Sequence, residues 1–302
     1  MKILCPTFFP GWSEAHRARD FKTLMGRLGI EVLTMPFYNS ANTPWHEYDV
    51  YYIKLGCPTI QKEWFGKEVL QKVVNHVGAM FESPLPGANT IMAANAYYYE
   101  LNKHMFPNKG EWAGAKFEYL RIPIDTKLFY PVNRPYENKD FIVGWAGNVL
   151  NWKKNFDIVK SLDALPGVTI VCCNGDLHGN GLPNEKLRYY YSLVDCVVQP
   201  SIDEGAGCIL LEAACCGKPV IAFDVGSAPE LLGGRQGGIL VKKNYGAPTE
   251  KQIQDFRNAV LELSKNRDMA RAMGEDNRRF MVEEWNQLNE WVEIFRRVAN
   301  GR

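Results

Sequence analysis

Two glutamates, Glu204 and Glu212, lie in the stretch Pro200 to Pro219, PSIDEGAGCILLEAACCGKP. Cys208 to Cys216 is helix-prone and stops at Gly217 before Pro219, the usual punctuation of a helix C-terminus. The spacing from Glu204 to Glu212 is about two helical turns, so both carboxylates can point to one face. Between them Gly205-Ala206-Gly207 opens the helix. A glycine loop at a helix N-terminus presents backbone N–H groups to an anion. A carboxylate inside CILLEAACC is costly to bury without a partner. Taken alone, the pair fits two readings: a loop solubiliser with a helix-surface residue, or a functional pair beside an anion-binding loop.

The flanking residues position this stretch. Asp195 to Gln199 is a short apolar strand closed by Pro200-Ser201, and Val220 to Phe223 is a second buried strand. The unit is therefore strand–loop–helix–strand. Tyr189-Tyr190-Tyr191-Ser192-Leu193-Val194-Asp195 precedes it and Pro229-Glu230 follows it. In this order the residues closely resemble the C-terminal domain of glycosyltransferase family 4, whose mark is two glutamates separated by seven residues. The resemblance implies an α/β protein of the GT-B fold: two Rossmann-like domains facing a cleft that binds a nucleotide sugar, with the last helix crossing back to the first domain. It implies a retaining, metal-independent transfer. It places Glu212 on the ribose hydroxyls. Glu204, with the N–H groups of Gly205, Ala206 and Gly207, would hold the transferred sugar.

The second domain opens on Phe141 to Gly147, a buried strand running into glycine that resembles the family's corresponding strand. Lys153-Lys154-Asn155 follows, with Lys154 at the position of the family's lysine. Together with Glu204, Lys154 is the implied catalytic residue, stabilising charge on the departing diphosphate. The family's arginine position holds Asn148, which supplies no charge, so Lys153 is expected to compensate. Val168 to Cys173 is the next strand. Asn174 stands at its end, where relatives place the nucleotide base, and Leu182-Pro183 would form the other wall. The G-x-G-x-x-G fingerprint of dinucleotide binding is absent here, which argues against a dehydrogenase.

In the first half, Lys2 to Cys5 reads as a strand. Ser13 caps a helix with Phe21, Leu24, Met25 and Leu28 on one face, and Gly29 ends it before the strand Ile30 to Leu33. Gly11 occupies the loop where the family's backbone approaches the donor, but Trp12 follows it. His16, one turn into the helix, and Glu82, at the end of a strand Ala79 to Phe81, are acceptor or sugar candidates. Both residue types also serve as ordinary structural or loop polar groups. Asp49 to Leu55 reads as a strand and Glu63 to Val77 as a helix. Lys62, Lys67, Lys72 and His76 fall on one region beside Trp64 and Phe65, either a membrane- or acceptor-facing helix or a plain solvated face. Asn89 to Met105 is strand then helix. Tyr119 to Pro131, YLRIPIDTKLFYP, resembles the family's interdomain linker. The expected domains are residues 1–133, joined by a terminal helix at about 283–302, and residues 134–282. Thr249 and Gln252 form a capping-box pattern for a helix bearing Phe256, Val260 and Leu263.

Hydrophobic residues make up 46% of the chain and charged residues 23%, with a net charge of +1. There is no basic excess of the kind that marks a nucleic-acid binder, and no run approaches a membrane span. None of the eight cysteines lies in a C-x-x-C pair. Cysteines in apolar elements fit a reducing cytoplasm, at most peripheral to a membrane. The expected reaction moves a hexosyl-type sugar from a UDP- or GDP-type donor to a glycan, lipid-linked or small-molecule acceptor. No cofactor or metal is expected, because the nucleotide sugar is itself a substrate. The alternatives are a non-catalytic sugar- or nucleotide-binding partner of the same fold and a transferase acting on modified nucleic acid.

Overall fold

Runs of β-branched and aliphatic residues alternate with helical periods along most of the chain, the pattern of parallel sheets whose crossovers cover both faces. The computed structural model describes residues 1–7, 13–36, 47–53, 67–77, 85–86, 88–105, 113–133, 139–174, 182–243 and 246–301. It divides into two units, Met1–Asp125 with Asn286–Arg302, and Thr126–Trp285.

The first unit contains β1 (Lys2–Thr7), α1 (Ser13–Arg27), β2 (Glu31–Pro36), β3 (Val50–Ile53), α2 (Lys67–Leu70), β4 (Val73–Val77), β5 (Thr90–Ala93), α3 (Ala96–Met105) and β6 (Lys116–Tyr119). The strands pair in parallel in the order β2-β1-β3-β4-β5-β6. Every residue of β3 and β5 is buried, as parallel strands covered on both faces require. Asn95 caps α3, its Oδ1 accepting from the Tyr98 amide at 2.9 Å.

One expected element is different. The helix expected over Glu63 to Val77 is instead the short α2 followed by β4, with residues 54–66 outside the description. Val73 and Val74 are fully buried between β3 and β5. β-branched residues pack well on a pleated surface, and here sheet burial overrides helical spacing. His76 therefore leaves the expected basic face. It is buried in β4, 2.6 Å from the Tyr52 hydroxyl. Lys62, Trp64 and Phe65 of that face, and the strand expected at Ala79 to Phe81, lie outside the described residues.

The second unit contains β7 (Phe141–Gly147), α4 (Phe156–Leu162), β8 (Val168–Asn174), α5 (Asn184–Leu193), β9 (Cys196–Gln199), α6 (Cys208–Cys215), β10 (Val220–Phe223), α7 (Ala228–Leu232), β11 (Gly238–Val241), α8 (Glu250–Lys265) and α9 (Arg267–Phe280). Its parallel sheet runs β11-β10-β9-β7-β8. The chain moves outward from β7 to β8 and then returns to the other side of β7 with β9. β7 and β9 thus flank the switch point of an open α/β sheet, where ligands bind beyond the strand C-termini. The core gathers Phe141, Trp145, Phe223 and Phe256 between sheet and helices. The Thr249–Gln252 capping box opens α8.

The linker divides at Asp125/Thr126 rather than at the expected 133/134. Arg278 of α9 accounts for this: its guanidinium donates to the carbonyls of Thr126 and Phe129 and to that of Cys215 at the end of α6. Thr126 to Phe129 is therefore held within the second unit. The terminal helix also starts later than expected. A π-helical turn, Met281–Trp285, keeps Trp285 buried against Phe280 in the second unit. Asn286 then bonds the Ile124 amide and carbonyl, both at 2.9 Å. The helix that follows, α10 (Leu288–Ala299), buries Trp291 and Phe295 against Phe21 and Tyr52 of the first unit. Among the described residues no helix is long and apolar enough to cross a membrane.

Candidate functional site

The site is built where β7 and β9 end. After β7 the chain turns at Asn148, whose Oδ1 accepts from the Leu150 amide at 2.8 Å. A single 3-10 turn, Trp152–Lys154, follows, capped by Asn151 through the Lys153 amide at 3.1 Å. Asn155 closes the turn in the left-handed conformation, with φ of 49°. Asparagine tolerates that region because its short polar side chain bonds locally. Here the side-chain amide reaches across to the Pro200 carbonyl at 2.9 Å.

The loop after β9 lies alongside. The Ile202 amide donates to the Lys153 carbonyl at 2.7 Å. Lys153 Nζ lies 3.2 Å from Asp203 Oδ2, and Lys154 Nζ lies 2.5 Å from Glu204 Oε1. Two adjacent lysines thus meet two adjacent acids in register. Glu204 Oε1 also accepts from Ser201 Oγ at 2.7 Å and from Gln199 Nε2 at 3.2 Å.

Gly207 begins α6 with φ of 65°. A Cβ there would stand 2.7 Å from Gln199 Oε1, so both the backbone and the neighbouring amide call for glycine. One turn into α6, Glu212 is buried, only 4% exposed. The helix-surface alternative for this residue therefore does not hold. Its Oε2 accepts from the Tyr191 hydroxyl of α5 at 2.7 Å. Burial first, and the Glu212 charge second, push the Tyr191 hydroxyl well above its ordinary range, so it stays protonated and donates. The same two causes push the Cys216 thiol up to about 12.

Of the residues singled out in the sequence, the structure brings Lys153, Lys154, Glu204, Gly205, Ala206 and Gly207 together on two facing loops. Asn174 stands at the end of β8, its Oδ1 accepting from the Val149 amide at 3.4 Å, which ties it to the turn containing Asn148. Glu212 sits deeper, on α6. His16 lies in the first turn of α1, in the other unit. Gly11 and Glu82 lie outside the described residues. Sequence reasoning did not assign Gln199, Ser201, Asp203, Asn155 or Tyr191 to the site. A glutamine closing an otherwise apolar strand and the order Lys-Lys against Asp-Glu were the available signals.

Residues 177–280 match the model of the family described as Glycosyl transferases group 1. The matched segment lies in the second unit. It contains Glu204, Glu212 and the Tyr191 contact, while Lys153 and Lys154 precede it. Over 181 residues the chain is 25% identical to a D-inositol 3-phosphate glycosyltransferase of Mycobacteroides abscessus, covering 49% of this chain and 39% of that protein. It is 36% identical over 122 residues to an alpha-maltose-1-phosphate synthase of Mycolicibacterium smegmatis, covering 39% and 31%. A GDP-mannose-dependent phosphatidylinositol monomannoside mannosyltransferase of Mycobacterium tuberculosis is 31% identical over 112 residues, covering 35% and 27%. The matches thus span well under half the length of these curated relatives. Among solved structures, a sucrose-phosphate synthase of Thermosynechococcus elongatus aligns over the full length of both chains with a TM-score of 0.75 at 14% identity. Anabaena HepE in complex with UDP and glucose aligns over 99% of this chain and 100% of that one, with a TM-score of 0.64 at 16% identity. At such identities the likeness is one of fold, and the fold is GT-B.

Proposed function

We propose that the protein is a glycosyltransferase that moves a hexosyl-type sugar from a nucleotide-sugar donor to an acceptor, with retention and without a metal. The observation that carries this reading is the meeting of Lys154 and Glu204 at the switch point of the second sheet. Lys154 offers a cation to a departing diphosphate, and Glu204 offers an anion to a sugar that turns positive as its glycosidic bond breaks. Lys153 is a second cation on the same turn and stands in for the charge that Asn148 lacks. The N–H groups of Gly205, Ala206 and Gly207 orient the sugar, and Glu212 accepts from the ribose diol. No side chain is assigned as a nucleophile. The diphosphate itself assists in taking the acceptor proton on the same face.

Relatives named for GDP-mannose and a fold neighbour holding UDP with glucose support a UDP- or GDP-type donor. The acceptor class is a glycan, a lipid-linked sugar or a small molecule, and the setting is the cytoplasm, free or at a membrane periphery. A thermal-shift panel of nucleotide sugars tests the reading, since a ligand bound only by the folded state raises its stability. Release of nucleoside diphosphate from the stabilising donor separates an enzyme from a non-catalytic binding partner.

A further inference from the structure

Glu204 is held by more contacts than a loop carboxylate needs. Three donors, Lys154 Nζ, Ser201 Oγ and Gln199 Nε2, converge on its Oε1. Its Cβ is pressed against Gly226 of the loop after β10, where an added Cβ would stand 2.7 Å from it. Gly226 has φ of 61°, so this wall is backbone in a conformation that suits glycine. Ser201 is fully buried and Gln199 is 1% exposed, so both donors are fixed by their surroundings at the end of β9.

The three donors are not equivalent. Lys154 is long, charged and partly exposed, with 24% of its side chain accessible. It is the group that a diphosphate would draw away. A carboxylate losing its cation in a site this enclosed needs other donors to stay in place. Resting on the glycosyltransferase reading, we propose that Ser201 and Gln199 are positioning residues that hold Glu204 in its working orientation after Lys154 turns to the donor diphosphate. Their role is then exerted in the transition state, where the carboxylate must face a sugar gaining positive charge.

The test uses the full chain and the donor that the nucleotide-sugar panel identifies, with steady-state release of nucleoside diphosphate as the readout. Ser201→Ala is expected to lower kcat by about ten-fold, the order of one hydrogen bond to a charged group, with donor KM changed less than about two-fold. Ser201→Thr, which keeps the hydroxyl, is expected to recover most of the loss. Gln199→Met, near in size but without the donor, is expected to fall in the same direction. Thermal midpoints measured alongside should stay near wild type for Ser201→Ala. An unchanged kcat in Ser201→Ala and Gln199→Met overturns the proposal. So does a loss that Ser201→Thr does not recover and that follows the thermal midpoint, because that is a packing role only. A wild-type protein that turns over no donor overturns the glycosyltransferase reading itself, whereas an active wild type with indifferent variants overturns only the positioning role.

Discussion

Lys154 and Glu204 are fifty residues apart in the chain and 2.5 Å apart at the site. Their neighbours Lys153 and Asp203 repeat the pairing at 3.2 Å with the same separation. The pairing follows from topology. Parallel β7 and β9 are adjacent in the sheet, so the loops leaving their C-terminal ends lie side by side. One backbone bond, Ile202 to Lys153, and one side-chain bond, Asn155 to Pro200, keep them there.

Removing the Lys154 charge should act on phosphate recognition. In Lys154→Ala, affinity for a nucleoside diphosphate should fall by about ten-fold or more while nucleoside affinity barely changes, because the lost contact is charge-assisted. Lys153→Ala should do less. Calorimetric titration with both ligands checks this, and equal losses for nucleoside and nucleotide would place the lysine elsewhere.

The two glutamates should separate kinetically. A ribose contact is similar in the ground and transition states, so Glu212→Gln should raise donor KM more than it lowers kcat. Glu204→Gln should depress kcat itself, by roughly a hundredfold, the usual scale for one electrostatic contact to developing charge. Steady-state kinetics on both variants decides it; the reverse pattern would exchange their roles, and indifference in both would make the pair structural.

The Tyr191–Glu212 contact should be worth stability as well as affinity. Tyr191 is fully buried and donates to a buried carboxylate. Tyr191→Phe removes the donor without opening a large cavity. It should cost about 1.5–3 kcal/mol in urea unfolding, the range for a hydrogen bond to a charged group. A change under about 0.5 kcal/mol would show that Glu212 is satisfied without the hydroxyl.

Donor turnover should persist in excess EDTA. Lys154, with Lys153 beside it, is proposed to carry the charge of the leaving diphosphate. Loss of turnover on chelation, restored by Mg²⁺ or Mn²⁺, would overturn this part of the mechanism.

The terminal helix should matter to the first unit. Trp291 is fully buried and its ring contacts Phe21, Tyr52 and Phe295. Trp291→Ala should destabilise that unit by about 3–5 kcal/mol, the cost of emptying a large aromatic site. Hydrogen exchange would locate the loss in β1, β3 and α1; protection unchanged there would contradict the packing.

Much of this was legible in residue order alone. β7 and β10 match the expected apolar runs at both ends, because strands buried on both faces are continuous in hydrophobicity and need no context to be read. The Thr249–Gln252 cap and the stop of α6 before Gly217 are local chemistry, complete within a few residues. The site loop was legible for the same reason: a glycine turn between a strand and a helix carries its meaning in its own sequence.

Tertiary structure decided what depends on neighbours. Val73 to Val77 has helical company in sequence but is a strand, since it pairs between β3 and β5 and buries Val73 and Val74 completely there. Thr126 to Phe129 joins the second unit because a distant arginine, Arg278, binds its carbonyls. Whether Glu212 is a surface or a buried acid turned on Tyr191, a partner on a different helix. The convergence of Lys154, Ser201 and Gln199 on one oxygen of Glu204 likewise arises only when two strand ends are brought together. The sequence determined which groups could do chemistry; the order of the strands in the sheet determined which of them meet.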